Sequence, residues 1–150
     1  MQLGGALMAF GNRSEGSFVR LTQGKEAPNR VTWGEFDRKA LVRLPVVVRT
    51  AAGEVVSPPT VEFRLPDGSA HPHLLMAGLA QALMLGRETP EREALLERTR
   101  SNGGGAVAAV PVPRTFTAIA DALAAHRAVL TAGGVFPAQV LDAVEATLRA

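Results

Sequence analysis

The chain has 150 residues, enough for one domain with its own core, and 47% of them are apolar while only 5% are aromatic, so aliphatic side chains must do the packing. There is no cysteine, which excludes disulfides, thiolate metal sites and thiol catalysis and suits a cytoplasmic protein. The net charge is only +2, and the basic residues are scattered rather than clustered among aromatics, so no nucleic-acid partner is expected.

Gln2 to Phe10 is mildly apolar and runs into the breaker Gly11-Asn12, which predicts the last turns of a helix. No basic leader or long hydrophobic run precedes it, so no signal peptide is expected. A helix end without a preceding partner also hints that further chain belongs before it. Asn12 to Asn29 is rich in turn formers and reads as a loop with a short extended piece, Ser17 to Leu21; long ordered loops tend to carry function. Val31 to Gly34, holding the only tryptophan, Trp33, predicts a short strand. Ala40 to Val48 predicts a stronger one, bent or at an edge where Pro45 falls. Thr50 to Pro59 reads as a hairpin-like connection.

Thr60 to Leu65 alternates polar and apolar residues. As a strand it turns Val61, Phe63 and Leu65 to a core and sets Glu62 beside Arg64 on the opposite face. That face is either an ordinary solvated sheet surface or one wall of a charged-ligand site. Pro66-Asp67-Gly68 stops the strand, and Pro72 is placed to open a helix. From Pro72 to about Gly86 a largely buried helix is expected, with Gly78 allowing close packing. Its longest apolar run, Leu74 to Leu85, is broken by Gln81 and too short to span a bilayer. Glu91 to Arg100 reads as a charged, exposed helix. Asn102 to Pro113 has three consecutive glycines but neither the strand before nor the Lys-Ser/Thr after that a phosphate-cradling loop needs, so it reads as a flexible surface loop. Two helices close the chain. Phe116, Ile119, Leu123 and Leu130 line the first, which stops at Gly133-Gly134. The second starts at Pro137 and carries the stripe Val140, Leu141, Val144 and Leu148. Strands followed by helices point to an α+β fold with an antiparallel sheet.

The three histidines make a weak metal case. His71 and His73 flank Pro72 without neighbouring carboxylates, and His126 reads as a surface or core-rim residue. No Ser/His/Asp order stands out. Arg20, Arg38, Arg43 and Arg64 are more informative, because guanidinium forks suit phosphate and carboxylate groups.

Four motifs in order carry a family resemblance. Ser17 to Pro28, Ser-Phe-Val-Arg-Leu-Thr-Gln-Gly-Lys-Glu-Ala-Pro, resembles the glutamine synthetase pattern Ser-Tyr-Lys-Arg-Leu…Gly-x-Glu-Ala-Pro. Asp37 to Pro45 is similar to its Asn-Arg-Ser…Ile-Arg-Ile-Pro. Val61 to Asp67 with Ser69 to Leu74 is similar to Glu-x-Arg-x-Pro-Asp…Asn-Pro-Tyr-Leu, and Ala132 to Phe136 to Gly-Gly-Val-Phe. The resemblance, type I-like, covers almost the whole chain. It implies that residues 1–150 are the C-terminal portion of a glutamine synthetase catalytic domain, α+β, with sheet strands followed by helices.

The implied activity is an ATP-dependent ligase that activates the side-chain carboxylate of glutamate as an acyl phosphate and lets ammonia, or another amine, displace the phosphate. By position, Arg20 would bind the glutamate carboxylate and Arg64 would orient it. Glu26, on a flap, would help close the site and take a proton from ammonium. Arg38 and Arg43 would hold the nucleotide phosphates and steady the transferring phosphoryl group. Glu62 would be a ligand of magnesium or manganese. Three departures weaken the nucleotide contacts: Thr60 stands for an arginine, Asp37 for an asparagine, and Phe18-Val19 for Tyr-Lys. His71 and His73, for Asn and Tyr, fit helix-start variants. The family's other metal-binding glutamates, its histidine ligand and its nucleotide loop precede the part matched here. The expectation is therefore a unit inactive alone, needing a missing N-terminal half or homo-oligomeric partners; the alternative is a non-catalytic remnant acting by association.

Overall fold

The computed structural model, which describes residues 1–22, 26–101 and 109–150, has helix α1 (Gly4–Gly11) at its centre. This helix is apolar on every side and is buried from Ala6 to Gly11, as a helix without a polar face must be. Its C-terminal carbonyls would be orphaned inside the protein. Three amides satisfy them: Asn12 donates to Met8 at 2.9 Å, His71 to Phe10 at 2.8 Å and Asp67 to Gly11 at 3.0 Å. The end of α1 is thereby fixed to the turn that follows the Glu62–Arg64 strand.

The loop expected from Asn12 to Asn29 is instead opened by a helix, α2 (Glu15–Thr22). Ser17 and Leu21, four residues apart, are buried on one face, and the Ser17 amide donates to the Ser14 carbonyl at 3.0 Å. Asn, Ser and Gly are turn formers, but the same residues also start helices, and here the second role prevails. Gln23 to Lys25 lie outside the described residues.

Three short strands follow: β1 (Trp33–Glu35), β2 (Val42–Leu44) and β3 (Glu62–Phe63), in the order β1-β2-β3. The α+β class is as expected, but the sheet is mixed rather than antiparallel. β2 runs antiparallel to β3 and parallel to β1. Parallel neighbours ordinarily need a long crossover; residues 36–41 make this one, with Phe36 at φ 60° and the Asp37 carboxylate accepting from the Lys39 amide at 2.8 Å. The strand predicted from Ala40 to Val48 is cut to its middle. Pro45, which lacks an N–H, ends it, and β2 is the central strand rather than an edge. Beyond it, Arg49 and Val55 bridge antiparallel across a turn, so the hairpin-like connection is present.

Helix α3 (Pro72–Glu88) opens with Pro72, and His71 at its N-cap accepts from the Leu74 amide. Gly78 packs on α1, where an added Cβ would stand 2.5 Å from Leu7 Cδ2. The rest of α3 is less buried than its apolarity predicts, and Met76, Leu83 and Met84 are exposed. Gln81 is buried and joins α3 to the end of a later helix through the carbonyls of Ala132 at 2.7 Å and Leu130 at 3.2 Å. Helix α4 (Arg92–Thr99) is the charged helix expected. Of the glycine-rich loop, residues 102–108 lie outside the described residues; Ala109 and Val112 beside them are buried.

The late helix predicted from Phe116 to Gly133 is two: α5 (Phe116–Ala125), capped by Thr115, and α6 (Arg127–Thr131). The break falls at His126, whose Nδ1 lies 2.9 Å from the Ala122 carbonyl. Gly133 and Gly134 then take φ 65° and 71°, a left-handed turn that glycine adopts without penalty. Helix α7 (Ala138–Arg149) buries Leu141 and packs on α5. Phe10 stacks on Phe136 with ring centroids 5.0 Å apart, so the core runs from α1 through α5 to α7.

Candidate functional site

The antiparallel register sets Arg43 on β2 directly opposite Glu62 on β3, and Val42 opposite Phe63. Directly opposed residues share a face. Val42 and Phe63 pack toward the core, which turns Arg43 and Glu62 outward together. They form an ion pair of 3.0 Å with side chains 21% and 41% exposed. Arg64, two residues past Glu62, falls on the same face, and its Nε lies 3.7 Å from the same Glu62 oxygen. One carboxylate therefore serves two guanidiniums.

The remaining predicted residues extend this patch. Arg64 Nη2 donates to the Glu26 carbonyl at 3.0 Å, and the Glu26 carboxylate pairs with Arg38 at 3.1 Å, both side chains 60% exposed. From α2, Arg20 donates to the carbonyls of Leu65, Arg64 and Pro66. Arg20, Glu26, Arg38, Arg43, Glu62 and Arg64 thus join into one wall of four guanidiniums and two carboxylates. The surplus is positive. Among the described residues, Arg20 Nε, Arg43 Nε and Arg64 Nη1 are buried without an acceptor. A buried donor without a partner costs free energy.

A divalent metal does not fit these residues by themselves. Among the described residues no group of three His, Asp or Glu could hold one, and the Glu62 carboxylate is engaged by two arginines. His71 is committed as the cap of α3, and the His71 and His73 rings sit 6.0 Å apart. Thr60 is exposed, and Asp37 caps its own turn.

One group escaped the sequence reading. Asp67, read as a turn former and motif residue but given no site role, accepts from the Ser69 amide and hydroxyl and from Asn12. The spacing Asp-x-Ser is that of an Asx turn and signals the Ser69 part; the reach to Asn12 on α1 has no local signal.

Fold and wall together define an α+β unit with an arginine-lined sheet face. The chain belongs to the glutamine synthetase catalytic-domain family, whose model, described as "Glutamine synthetase, catalytic domain", matches residues 1–146. It is 31% identical over 143 residues to a glutamine synthetase of Streptomyces filamentosus, covering 91% of this chain and 29% of that protein. A glutamine synthetase of Mycolicibacterium smegmatis is 31% identical over 144 residues, covering 91% of this chain and 28% of that protein. One from Thermococcus kodakarensis is 40% identical over 81 residues, 54% of this chain and 16% of that protein. The chain thus spans under a third of the length of these relatives. Among the described residues no helix is long and apolar enough to cross a membrane.

Proposed function

We propose that this chain supplies one wall of a ligase site of glutamine synthetase type, where ATP activates the side-chain carboxylate of glutamate and ammonia completes the amide. The observation that carries the reading is the joining of all six motif residues into one positively charged patch with buried, unpartnered guanidinium N–H groups. In the first step a glutamate carboxylate oxygen attacks the γ-phosphorus and ADP leaves. In the second, ammonia attacks the acyl carbon and phosphate leaves. Both steps gather negative charge, and catalysis is mostly positioning and neutralisation.

In this reading Arg20 and Arg64 receive the substrate carboxylate, and Arg38 and Arg43 receive the phosphates. Glu26, the exposed carboxylate of the patch, takes the proton that ammonium gives up. Glu62 aims Arg43 and Arg64, and enters a magnesium or manganese site only as one ligand of a set supplied by other residues. These 150 residues are accordingly inactive by themselves. The test is to mix the chain with the part of the Streptomyces relative lying outside the matched region and to assay phosphate release dependent on glutamate and ATP. Release at some ratio is expected; none at any ratio would sink the reading. Replacing ammonia by other amines in the same assay reads the amine specificity.

A second reading is a non-catalytic subunit acting by association in the cytoplasm. It is favoured by the apolar surface of Val61, Met76 and Leu83, which are 67%, 66% and 72% exposed. Sedimentation decides it: a stable monomer that binds no hydrophobic dye would count against association.

A further inference from the structure

We propose that Asp67 is a positioning residue of the arginine wall, setting the Arg20 guanidinium by holding the first turn of α2 against the turn between β3 and α3. Its Oδ1 accepts from the Ser69 amide at 2.8 Å and the Ser69 hydroxyl at 2.6 Å, and its Oδ2 from Asn12 Nδ2 at 3.1 Å. Asn12 is fully buried, and the same Nδ2 donates to the Leu65 carbonyl at 3.0 Å. Ser69 Oγ accepts in turn from the Arg13 amide at 2.8 Å and stands 3.5 Å from Ser17 Oγ.

Ser17 is buried in the first turn of α2, one helical turn ahead of Arg20 and on the same side. Arg20 reaches the carbonyls of residues 64–66, which lead directly into Asp67. Helix α2 is therefore attached to the segment 64–69 at two points. Together with buried Leu21 and the Phe18–Phe116 ring contact at 4.9 Å, these attachments set the roll of the helix, and with it the guanidinium. Burial pushes the Asp67 carboxyl up, but the nearby Ser17 hydroxyl and the hydrogen bonds from Ser69 and Asn12 outweigh it and hold the group below the ordinary carboxylate range. It is thus an acceptor on both oxygens at neutral pH. An amide at this position would turn an NH2 toward either Ser69 or Asn12, both of which donate.

The test uses Asp67→Asn and the milder Ser17→Ala in the 150-residue chain, read by the Nε–H resonance of Arg20 with that of Arg149 as a distant control. In both folded variants the Arg20 resonance is expected to move or broaden and the Arg149 resonance to stay. An unmoved Arg20 resonance in either folded variant overturns the inference. A second arm rests on the proposed ligase-site reading, in which Arg20 receives the substrate carboxylate, and titrates with glutamate. Asp67→Asn is expected to weaken binding roughly three- to ten-fold in the Arg20 background and not at all in an Arg20→Lys background, the non-additivity of coupled residues. Equal weakening in both backgrounds reduces Asp67 to a purely structural role and overturns the inference. Failure of the unsubstituted chain to bind glutamate would instead count against that reading, leaving the resonance arm to decide Asp67.

Discussion

The two faces of β2 and β3 are held by different forces. Behind the strands, α1, α5 and α7 close on one another through side chains such as Phe10, Ile119, Leu123 and Leu141, all fully buried. In front, Arg43, Glu62 and Arg64 meet at 3.0 and 3.7 Å and stay partly wet. Close packing is short-ranged and indifferent to charge sign. The arginine wall is the reverse: it tolerates small displacements, but the sign and number of its charges decide what it holds. The helical half therefore sets stability, and in the proposed reading the wall keeps its charges for a ligand.

The largest effect should come from the packed side. Phe10→Ala removes a ring stacked on Phe136 and leaves a cavity beside Gly78, so a loss of about 3–5 kcal/mol in urea unfolding is expected. A loss under about 1 kcal/mol would mean that the core is not centred on α1.

Glu62→Gln tests the wall next. It removes the charge shared by Arg43 and Arg64 while keeping the side chain's shape. Stability should fall by only about 1 kcal/mol, because the pair is partly exposed. Pyrophosphate affinity should rise, since two guanidiniums gain freedom and the patch gains positive charge. Opposite signs for stability and affinity separate a ligand wall from a structural ion pair; a fall in both would erase the distinction.

The division between the two sides was partly legible in the sequence. Alternation from Thr60 to Leu65 put Glu62 and Arg64 on one face, because a strand's period is fixed by its backbone; Phe63 and Leu65 turn inward as expected, whereas Val61, expected toward the core, lies before the two-residue strand and is exposed. The stripes of α5 and α7 followed from helical spacing in the same way. The motifs of the family resemblance named all six wall residues. Several features were not legible because they depend on partners distant in sequence. The fold of α2 depends on Ser17 and Leu21 finding a buried face, which overrides the turn propensity of Asn12, Ser14 and Gly16. The break at His126 depends on a ring nitrogen reaching Ala122. The parallel pairing of β1 with β2 depends on Phe36 accepting φ 60°. Gln81, read as an interruption of an apolar run, proves to be the joint between α3 and the end of α6.

Acid should weaken the joint between the two sides before it weakens the core. Asp67 has its carboxyl pKa lowered on folding, so its contribution is complete above the unfolded value of about 4 and is lost as pH falls through the lower folded value. The stability gap between the unsubstituted chain and Asp67→Asn should therefore be constant from pH 7 to about 5 and shrink below about 4. Urea midpoints measured across that range check it. A gap that widens in acid would show that the carboxylate is opposed rather than supported by its neighbours.

The smallest effect on stability belongs to the wall's outer end. Arg38 and Glu26 pair at 3.1 Å with both side chains 60% exposed, and a pair so wet has its attraction offset by side-chain entropy and screened by salt. Arg38→Ala should leave the unfolding midpoint unchanged, whereas Arg43→Ala, which strips the half-buried partner of Glu62, should lower it. Pyrophosphate separates the two measurements. If the outer arginine is held for a ligand, Arg38→Ala weakens pyrophosphate binding despite its unaltered midpoint, and added salt diminishes the difference. Unchanged affinity would confine the ligand wall to Arg20, Arg43 and Arg64 and leave Arg38 an ordinary solvated residue.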